Sequence, residues 1–282
     1  MMAGASPDYF VRLLRDALDA GITLFDTANI YTQGESETLI GQAFAGRRHE
    51  AFLCTKVGYL GSPSRRLAGR LKPVLRPVVR RLGIRRALVP RQLSGTVAHD
   101  FSRASMKTSL HGSLKRLQTD AVDLVLLHSP SADDLANGEA IGNLLDMRQA
   151  GLARLVGVSL DECVDAKLLQ GIDALQIPVN AFVKDDIVPY IRELSDAGIG
   201  VIGRQCLASG RLTRPPVDSD AGEELTAITR ISAAAKERGI TMPEAAFRDV
   251  HSLAGVSTTL LGMSRPEHLQ AALQWILDKG QL

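Results

Sequence analysis

The stretch that decides the fold is Val122-Asp123-Leu124-Val125-Leu126-Leu127-His128, an almost unbroken apolar run that ends on a histidine. A half-exposed strand alternates apolar and polar residues, whereas a parallel strand that is covered on both faces is apolar along its length. This stretch therefore predicts a buried strand of a parallel sheet, with His128 at the carboxyl end of that strand.

Short apolar segments of this kind recur along the chain, and helical patterns separate them. Seven strands are predicted, near residues 24, 53, 125, 156, 175, 200 and 260, and the first helix is capped by Ser6 and opened by Pro7. Repeated β–α units of this size form a parallel sheet with outer helices. We therefore predict an α/β fold, a (β/α)8 TIM-type barrel that lacks or alters its first strand, in a single domain over residues 1–282.

Composition excludes several classes of protein. The 282 residues are 45% hydrophobic and 23% charged, which is typical of a globular core and not of a disordered chain. No apolar run approaches the roughly 18 residues of a membrane span, and no secretory signal is visible. Three cysteines lie far apart, at Cys54, Cys163 and Cys206, which fits reduced thiols better than a disulfide or a zinc site. We expect a cytoplasmic protein without a metal.

The net charge of +2 conceals a basic insert at about residues 59–92. Ten of the 33 basic residues lie in it and no acidic residue does, so the rest of the chain has 23 basic and 31 acidic residues, a net charge of −8. An acidic body is not typical of a nucleic-acid-binding domain. The insert follows Lys56 and so lies at the mouth of the expected site. It is either a lid whose arginines select an acidic substrate group or a solvated segment that packs on the barrel rim.

Reactive residues of parallel α/β folds lie at the carboxyl ends of strands. Asp26, Lys56 and His128 end the first three predicted strands, and Tyr31 lies on the loop after Asp26. An ammonium beside a phenol lowers the pKa of the phenol, so Tyr31 would exchange a proton near neutral pH. Asp26 would hold Lys56, and His128 would hydrogen-bond a carbonyl oxygen. Each residue alone has a structural explanation, but the four together predict an acid–base site.

Several motifs stand in an order and at separations that fit one known family. They are Asp26-Thr27-Ala28-Asn29-Ile30-Tyr31, Gly34-Glu35-Ser36-Glu37, Thr55-Lys56-Val57-Gly58, Ser113-Leu114-Lys115-Arg116-Leu117, Leu127-His128, Gly157-Val158-Ser159, Gln176 and Leu207 to Thr213. About residues 7–277 thereby resemble the aldo-keto reductase family. The resemblance implies a (β/α)8 barrel and NADP(H)-dependent reduction of a small-molecule carbonyl compound. In it Tyr31 is the general acid, and the other three residues of the site support it.

The resemblance also implies where NADP(H) would bind. Two side chains match carboxamide contacts, one arginine replaces a tyrosine that stacks on the nicotinamide, and a segment before the last helix resembles the 2′-phosphate site. These implied contacts are Ser159, Gln176, Arg204, Leu207, Gly262, Ser264, Arg265 and His268. The chain departs from the family pattern at Leu160 and Ala272, where asparagines are usual, and before Ser6, where the first strand has no counterpart.

These departures leave two other functions open. The protein would be a cofactor-independent lyase, dehydratase or isomerase on the same scaffold, or a non-catalytic regulatory subunit. The missing strand also leaves two sheet edges without a neighbour, so either the true start lies upstream, or another segment or a second subunit in a homodimer covers the gap. We therefore expect a small-molecule carbonyl substrate, no nucleic acid, no membrane and a possible second copy of the chain.

Overall fold

A computed structural model of the chain describes residues 6–60, 98–217 and 220–277. In chain order its strands are β1 (Leu24–Asp26), β2 (Phe52–Val57), β3 (Tyr59–Leu60), β4 (Ala98–His99), β5 (Val122–His128), β6 (Ala153–Ser159), β7 (Ala174–Pro178), β8 (Gly200–Arg204) and β9 (Val256–Thr259). Seven of them form one parallel sheet in the order β1-β2-β5-β6-β7-β8-β9. All seven predicted strands are confirmed, and the apolar stretch 122–128 is the third of them.

Helices surround the sheet on its outer side. They are α1 (Pro7–Asp19), α2 (Glu35–Ala43), α3 (Arg103–Leu117), α4 (Ala132–Ala136), α5 (Glu139–Gln149), α6 (Lys184–Asp196), α7 (Gly222–Arg238), α8 (Met242–His251) and α9 (Pro266–Leu277). The predicted start of α1 is confirmed, because Ser6 Oγ accepts from the backbone N–H of Tyr9 at 3.3 Å. Between β6 and β7 the chain forms only a 3-10 turn at Ala166–Leu169, with the Asp165 carboxylate accepting from the N–H of Lys167.

The sheet curls but does not close within the described residues. Strand β1 pairs with β2 alone and β9 pairs with β8 alone, so the two edges of the sheet carry no second strand partner there. The result is a half-barrel in which seven parallel strands stand where a TIM-type barrel has eight. The prediction of an α/β fold of the TIM-barrel type is thereby confirmed, in the form of a seven-stranded half-barrel within the described residues. The homodimer expected to cover the gap stays a prediction.

The two faces of the sheet have different cores. Side chains of the outer face pack against the helices in the largest apolar cluster, which includes Leu53, Val57 and Val125. Side chains of the inner face form a small separate cluster of Cys54, Leu124, Leu126, Ala174 and Ile202. Because strand residues alternate between faces, the parity of a residue along its strand decides which core it joins. That parity also decides which side chains reach the interior of the half-barrel.

Gly157 allows β6 and β7 to lie close together. A Cβ at this position would fall 2.1 Å from the backbone oxygen of Ala174 and 2.7 Å from a methyl carbon of Leu126. No side chain fits so near a backbone atom of the neighbouring strand. The glycine is therefore a packing requirement of the inner face, directly below the end of β6.

Most of the basic insert lies outside the described residues. Strand β3 lies at its start and β4 lies shortly beyond its end, and the two pair antiparallel through Tyr59 with His99 and Leu60 with Ala98. The chain thus leaves the sheet after β2 and returns beside the same point. Whether the insert acts as a lid or packs on the rim stays open.

Three further expectations concern the cysteines, a membrane-spanning helix and a metal site. The three cysteines are free, with Cys54 and Cys206 buried and Cys163 exposed. In the described ranges no helix is long and apolar enough to span a membrane. Across the same ranges no group of three or more metal-ligating side chains comes together. The cytoplasmic location stays a prediction.

Candidate active site

The predicted site residues share one side of the sheet because of their positions along the strands. Asp26 ends β1 and His128 ends β5, as predicted. Lys56 was predicted to end β2, but β2 continues to Val57, so Lys56 is its last residue but one. Lys56 has the same parity as Cys54 and lies beside Leu126 in register, both of which belong to the inner cluster. Strand alternation therefore directs these side chains to the interior of the half-barrel at its carboxyl end.

Lys56 and Asp26 form a buried ion pair. Nζ donates to both carboxylate oxygens of Asp26 at 2.6 Å and to the backbone oxygen of Thr27 at 3.1 Å. Lys56 is 1% exposed. Burial by itself lowers the pKa of Lys56, but its interactions with Asp26, Cys54 and Tyr31 together outweigh burial and leave that pKa above its ordinary value. The side chain is therefore an ammonium at neutral pH.

Tyr31 lies beside this ion pair at the start of a 3-10 turn, Tyr31–Gly34. Nζ of Lys56 is 5.3 Å from the centroid of its ring, and the ring meets that of His128 edge-on at 6.2 Å. Tyr31 is 40% exposed, so its ring reaches the mouth of the site. The prediction that Tyr31 and Lys56 share one cleft thus agrees with the geometry.

His128 is buried and neutral. It is 8% exposed, and its pKa is lowered to about 4, mainly by burial and also by the ammonium of Lys56. Its Nδ1 is buried and has no hydrogen-bond partner in the described part of the chain. A neutral imidazole has one ring nitrogen that donates and one that accepts, so His128 is suited to hydrogen bonding rather than to carrying a charge.

Two of the expected cofactor contacts join the same network. Ser159 lies beside His128 in register, and Gln176 lies beside Ser159 on the next strand. Ser159 Oγ donates to Oε1 of Gln176 at 2.9 Å, and Gln176 Nε2 donates to Oδ1 of Asp26 at 2.9 Å. The chain of hydrogen bonds therefore runs across the interior from β6 through β7 to β1.

Arg204, at the end of β8, ties two loops of the site together. Its Nη2 donates to the backbone oxygen of Leu160 at 2.8 Å and to Oδ1 of Asp161 at 2.5 Å. Burial acts to raise the pKa of Asp161, but hydrogen bonds from Ser129 and Arg204 outweigh it and leave that pKa below its usual range. Arg204 Nε is buried and has no hydrogen-bond partner among the described residues. The guanidinium thus has at least one donor that no described residue uses.

The remaining expected cofactor residues lie along the same carboxyl edge of the sheet. Leu207 follows β8 and precedes a 3-10 helix, Ala208–Thr213. The other four surround the start of α9 after β9, namely Gly262, Ser264, Arg265 and His268. A Cβ at Gly262 would meet nothing within 4 Å, and the hydroxyl of Tyr9 donates to the backbone oxygen of Ser264 at 3.1 Å. This part of the site is therefore open and is held to the first helix.

Sequence reasoning missed a group of aromatic residues around His128. The ring of Tyr59 lies 5.0 Å from that of His128 and 5.2 Å from that of His99, which stacks on Phe101 at 5.6 Å. Gly58 makes room for them, since it has φ +93° and its Cβ would fall 2.1 Å from Phe101. Tyr59 directly follows the Thr55–Gly58 motif, which was the available signal. His99 and Phe101 stand beyond the insert and gave none.

Comparison with known proteins gives a consistent result. A model of the aldo/keto reductase family matches residues 2–281. Aldo-keto reductase AFTS1 of Alternaria alternata is 27% identical over 93% of this chain and 76% of its own length. Aldo-keto reductase YhdN of Bacillus subtilis is 26% identical over 99% of this chain and 82% of its own length.

Solved structures support the same fold. Aldo-keto reductase AKR11C1 from Bacillus halodurans, in its holo form, has a TM-score of 0.73 at 23% identity, covering 97% of this chain and 83% of that one. An aldo/keto reductase from Klebsiella pneumoniae, in complex with NADP and acetate, has a TM-score of 0.64 at 21% identity, with 97% and 81% covered. Since the family model spans nearly the whole chain, the chain belongs to the aldo-keto reductase family, a family of oxidoreductases.

Proposed function

We propose that the protein is an NADP(H)-dependent reductase of an aldehyde or ketone in which Tyr31 is the general acid. The observation that carries this proposal is the buried ammonium of Lys56, held by Asp26 at 2.6 Å and lying 5.3 Å from the ring centroid of Tyr31. Reduction of a carbonyl group needs a proton for the oxygen, and a phenol beside a fixed positive charge is suited to release one.

The state of His128 supports Tyr31 as the proton donor. With a pKa of about 4, only about a thousandth of the imidazole is protonated at pH 7. His128 is therefore a poor acid there, although a neutral ring still donates a hydrogen bond. We assign His128 to orienting the carbonyl oxygen, and Asp26 to holding Lys56 and balancing its charge.

The donor set at the inner face fits the carboxamide of a nicotinamide. Ser159 Oγ, which donates to Gln176, keeps lone pairs that can accept from an amide N–H. Gln176 Nε2 uses one hydrogen on Asp26 and keeps a second for an amide oxygen. Bound NADPH would supply the hydride, and the residues of the chain would supply orientation and the proton.

The segment before α9 supports NADP(H) rather than NAD(H). Ser264 and Arg265 immediately precede that helix, His268 lies in its first turn, and Gly262 leaves the approach open. A hydroxyl, a guanidinium and a helix N-terminus are together the chemistry that binds a phosphate. The solved relative from Klebsiella pneumoniae, which contains NADP, supports the same choice.

The proposal is tested by fluorescence titration with NADPH and by two substitutions. We expect saturable quenching with NADPH, and for Tyr31→Phe and Lys56→Met a fall in kcat of at least about 100-fold while the Kd for NADPH changes less than about threefold. The two variants remove the acid and its charged neighbour separately. A folded protein that shows no quenching at high micromolar NADPH would defeat the proposal.

The same experiments separate the other functions left open by the sequence. Turnover by cofactor-stripped protein would favour an acid–base lyase, dehydratase or isomerase. Full biological function in Tyr31→Phe would favour a regulatory subunit. A strict requirement for NADPH, together with loss of turnover in Tyr31→Phe, would exclude both other functions and support the reductase.

A further inference from the structure

Gln176 makes a contact that its resemblance to a cofactor-binding residue does not imply. Its Nε2 donates to Oδ1 of Asp26 at 2.9 Å, and the same oxygen accepts from Nζ of Lys56 at 2.6 Å. Gln176 is 1% exposed, so water offers its amide little substitute for this partner. One side chain therefore connects the expected carboxamide contact with the buried ion pair.

Ser159 and Asp26 select the same orientation of the Gln176 amide. The Ser159 hydroxyl donates to Oε1 of Gln176 and is buried with it. An amide whose oxygen already accepts from a hydroxyl turns its NH2 group to the other side, which here is the side of Asp26. Ser159 helps to orient the amide, and Gln176 alone of the two donates to the carboxylate.

We propose that Gln176 is a positioning residue of the acid–base group, because it holds Asp26 and sets the negative potential that Asp26 exerts on Lys56 and Tyr31. A donor hydrogen bond disperses the charge of a carboxylate, and its loss leaves a stronger negative potential. A stronger negative potential favours the protonated forms of neighbouring groups. This inference rests on the proposed function, since it takes Tyr31 as the proton donor.

Two of the titratable groups near Asp26, Cys54 and His128, stay neutral and do not respond to a change in its potential. The groups that face it are Lys56 and Cys54 on β2, Tyr31 on the following turn and His128 on β5. The pKa of the Cys54 thiol is raised well above its ordinary value, by burial first and by Asp26 second, so the thiol stays neutral. His128 is neutral at any pH well above its pKa of about 4. Lys56 and Tyr31 are therefore the groups through which Gln176 would act.

The test compares Gln176→Met with Ser159→Ala. Both variants lose part of the expected carboxamide contact, so we expect both to weaken NADPH binding several-fold. In Ser159→Ala the Asp26 carboxylate, which only accepts, still selects the NH2 end of the amide, so the donor remains. Only Gln176→Met removes the donor to Asp26, so only this variant should move the basic limb of the kcat–pH profile, measured at saturating NADPH, to higher pH by at least about 0.5 unit. If Gln176 acts on the cofactor alone, both variants keep the profile of the parent protein, and the inference is overturned.

A conservative variant gives a second kinetic readout. Gln176→Glu keeps the shape of the side chain, and its protonated form donates to Asp26 whereas its ionised form repels it. We expect kcat relative to the parent to be restored at low pH and lost at high pH, with the change following the ionisation of the new carboxyl group. A constant ratio across the pH range would contradict the inference.

A third readout needs no cofactor. Thermal unfolding of the apo protein is measured for the parent, Gln176→Met, Asp26→Asn and the double variant. The hydrogen bond to a carboxylate is stronger than one to an amide, so Gln176→Met should lower Tm by about 2 °C more in the parent than in Asp26→Asn. Equal losses would show that Gln176 does not hold Asp26. This cycle does not involve NADPH. A protein that fails to bind NADPH would therefore overturn the proposed function, while the cycle would still show whether Gln176 holds Asp26.

Discussion

The buried imidazole of His128 makes the stability of the protein depend on pH. Its pKa is lowered from 6.5 to about 4, first because burial disfavours the imidazolium and second because Lys56 repels it. Asp26 and Asp161 act in the opposite direction, and His99 adds to the repulsion. The folded protein therefore rejects a proton that the unfolded chain accepts between these two pKa values.

The sign and size of the effect follow from linkage. Where the unfolded chain binds more protons than the folded protein, the free energy of unfolding rises with pH and falls on acidification. The shift from 6.5 to about 4 corresponds to a loss of about 3 kcal/mol once both pKa values have been passed. Between pH 7.5 and pH 5 the share of His128 is about 2 kcal/mol, most of it lost below pH 6.5.

Urea unfolding at pH 7.5 and pH 5 measures this loss. We expect the parent protein to lose about 2 kcal/mol more than His128→Gln, because the variant has no imidazole to protonate at that position. Other groups titrate in the same range, but they do so in both proteins and cancel in the comparison. His111→Gln is the matched control, since His111 is exposed on α3, and it should behave like the parent.

Two results would refute this reasoning. The first is that the parent and His128→Gln lose the same free energy of unfolding between pH 7.5 and pH 5, to within about 0.5 kcal/mol. The second is an NMR titration in which the His128 ring takes up its proton near 6.5. Either result would show that the ring is hydrated and that His128 remains an acid at physiological pH, which would also weaken the assignment of proton donation to Tyr31.

Two further predictions concern the cofactor end of the site and the inner face of the sheet. Arg265→Ala should weaken NADPH binding about tenfold and NADH binding less than about twofold, because a charge-assisted contact to the 2′-phosphate is lost; equal losses in fluorescence titrations would contradict a 2′-phosphate site there. Gly157→Ala should unfold the protein or lower its stability by several kcal/mol, since the new Cβ would meet the backbone oxygen of Ala174 at 2.1 Å. Its control, Gly142→Ala in α5, meets nothing within 4 Å and should stabilise the protein by about 0.5–1 kcal/mol in thermal unfolding, whereas a comparable loss in both variants would refute the packing argument.

The strands and the four acid–base positions were accessible from the sequence because they depend on local order. Stretch 122–128 is apolar along its length since both faces of β5 are covered, and the same holds in weaker form for the other strands. Once the strands are predicted, the residues at their carboxyl ends are predicted with them, and Asp26 and His128 are such residues. Lys56 was placed one residue wrongly, because β2 continues to Val57, but its parity was unaffected by that error.

Contacts between distant strands were not accessible in the same way. Gln176 contacts Asp26 across the interior of the half-barrel, although the two residues are 150 positions apart in the sequence. The sequence pattern of neither strand indicates that these two side chains will meet. The approach of His99 to Tyr59 depends on the pairing of two short strands on either side of the insert. Such contacts are set by the curl of the sheet and the return of the insert, which periodicity does not encode.

The ion pair at the centre of the site is better explained by chemistry than by stability. Removing two charges from water costs several kcal/mol for each ion, and well-packed apolar side chains often serve stability as well or better. Here the cost is offset only because every oxygen and proton finds a partner: Lys56 donates to Asp26 and Thr27, and Asp26 accepts from Gln176 as well. A fold that needed only a filled interior would not require this arrangement. The pair leaves a fixed ammonium 5.3 Å from the ring centroid of Tyr31, and that charge, which an apolar core could not supply, is what the proposed proton transfer uses.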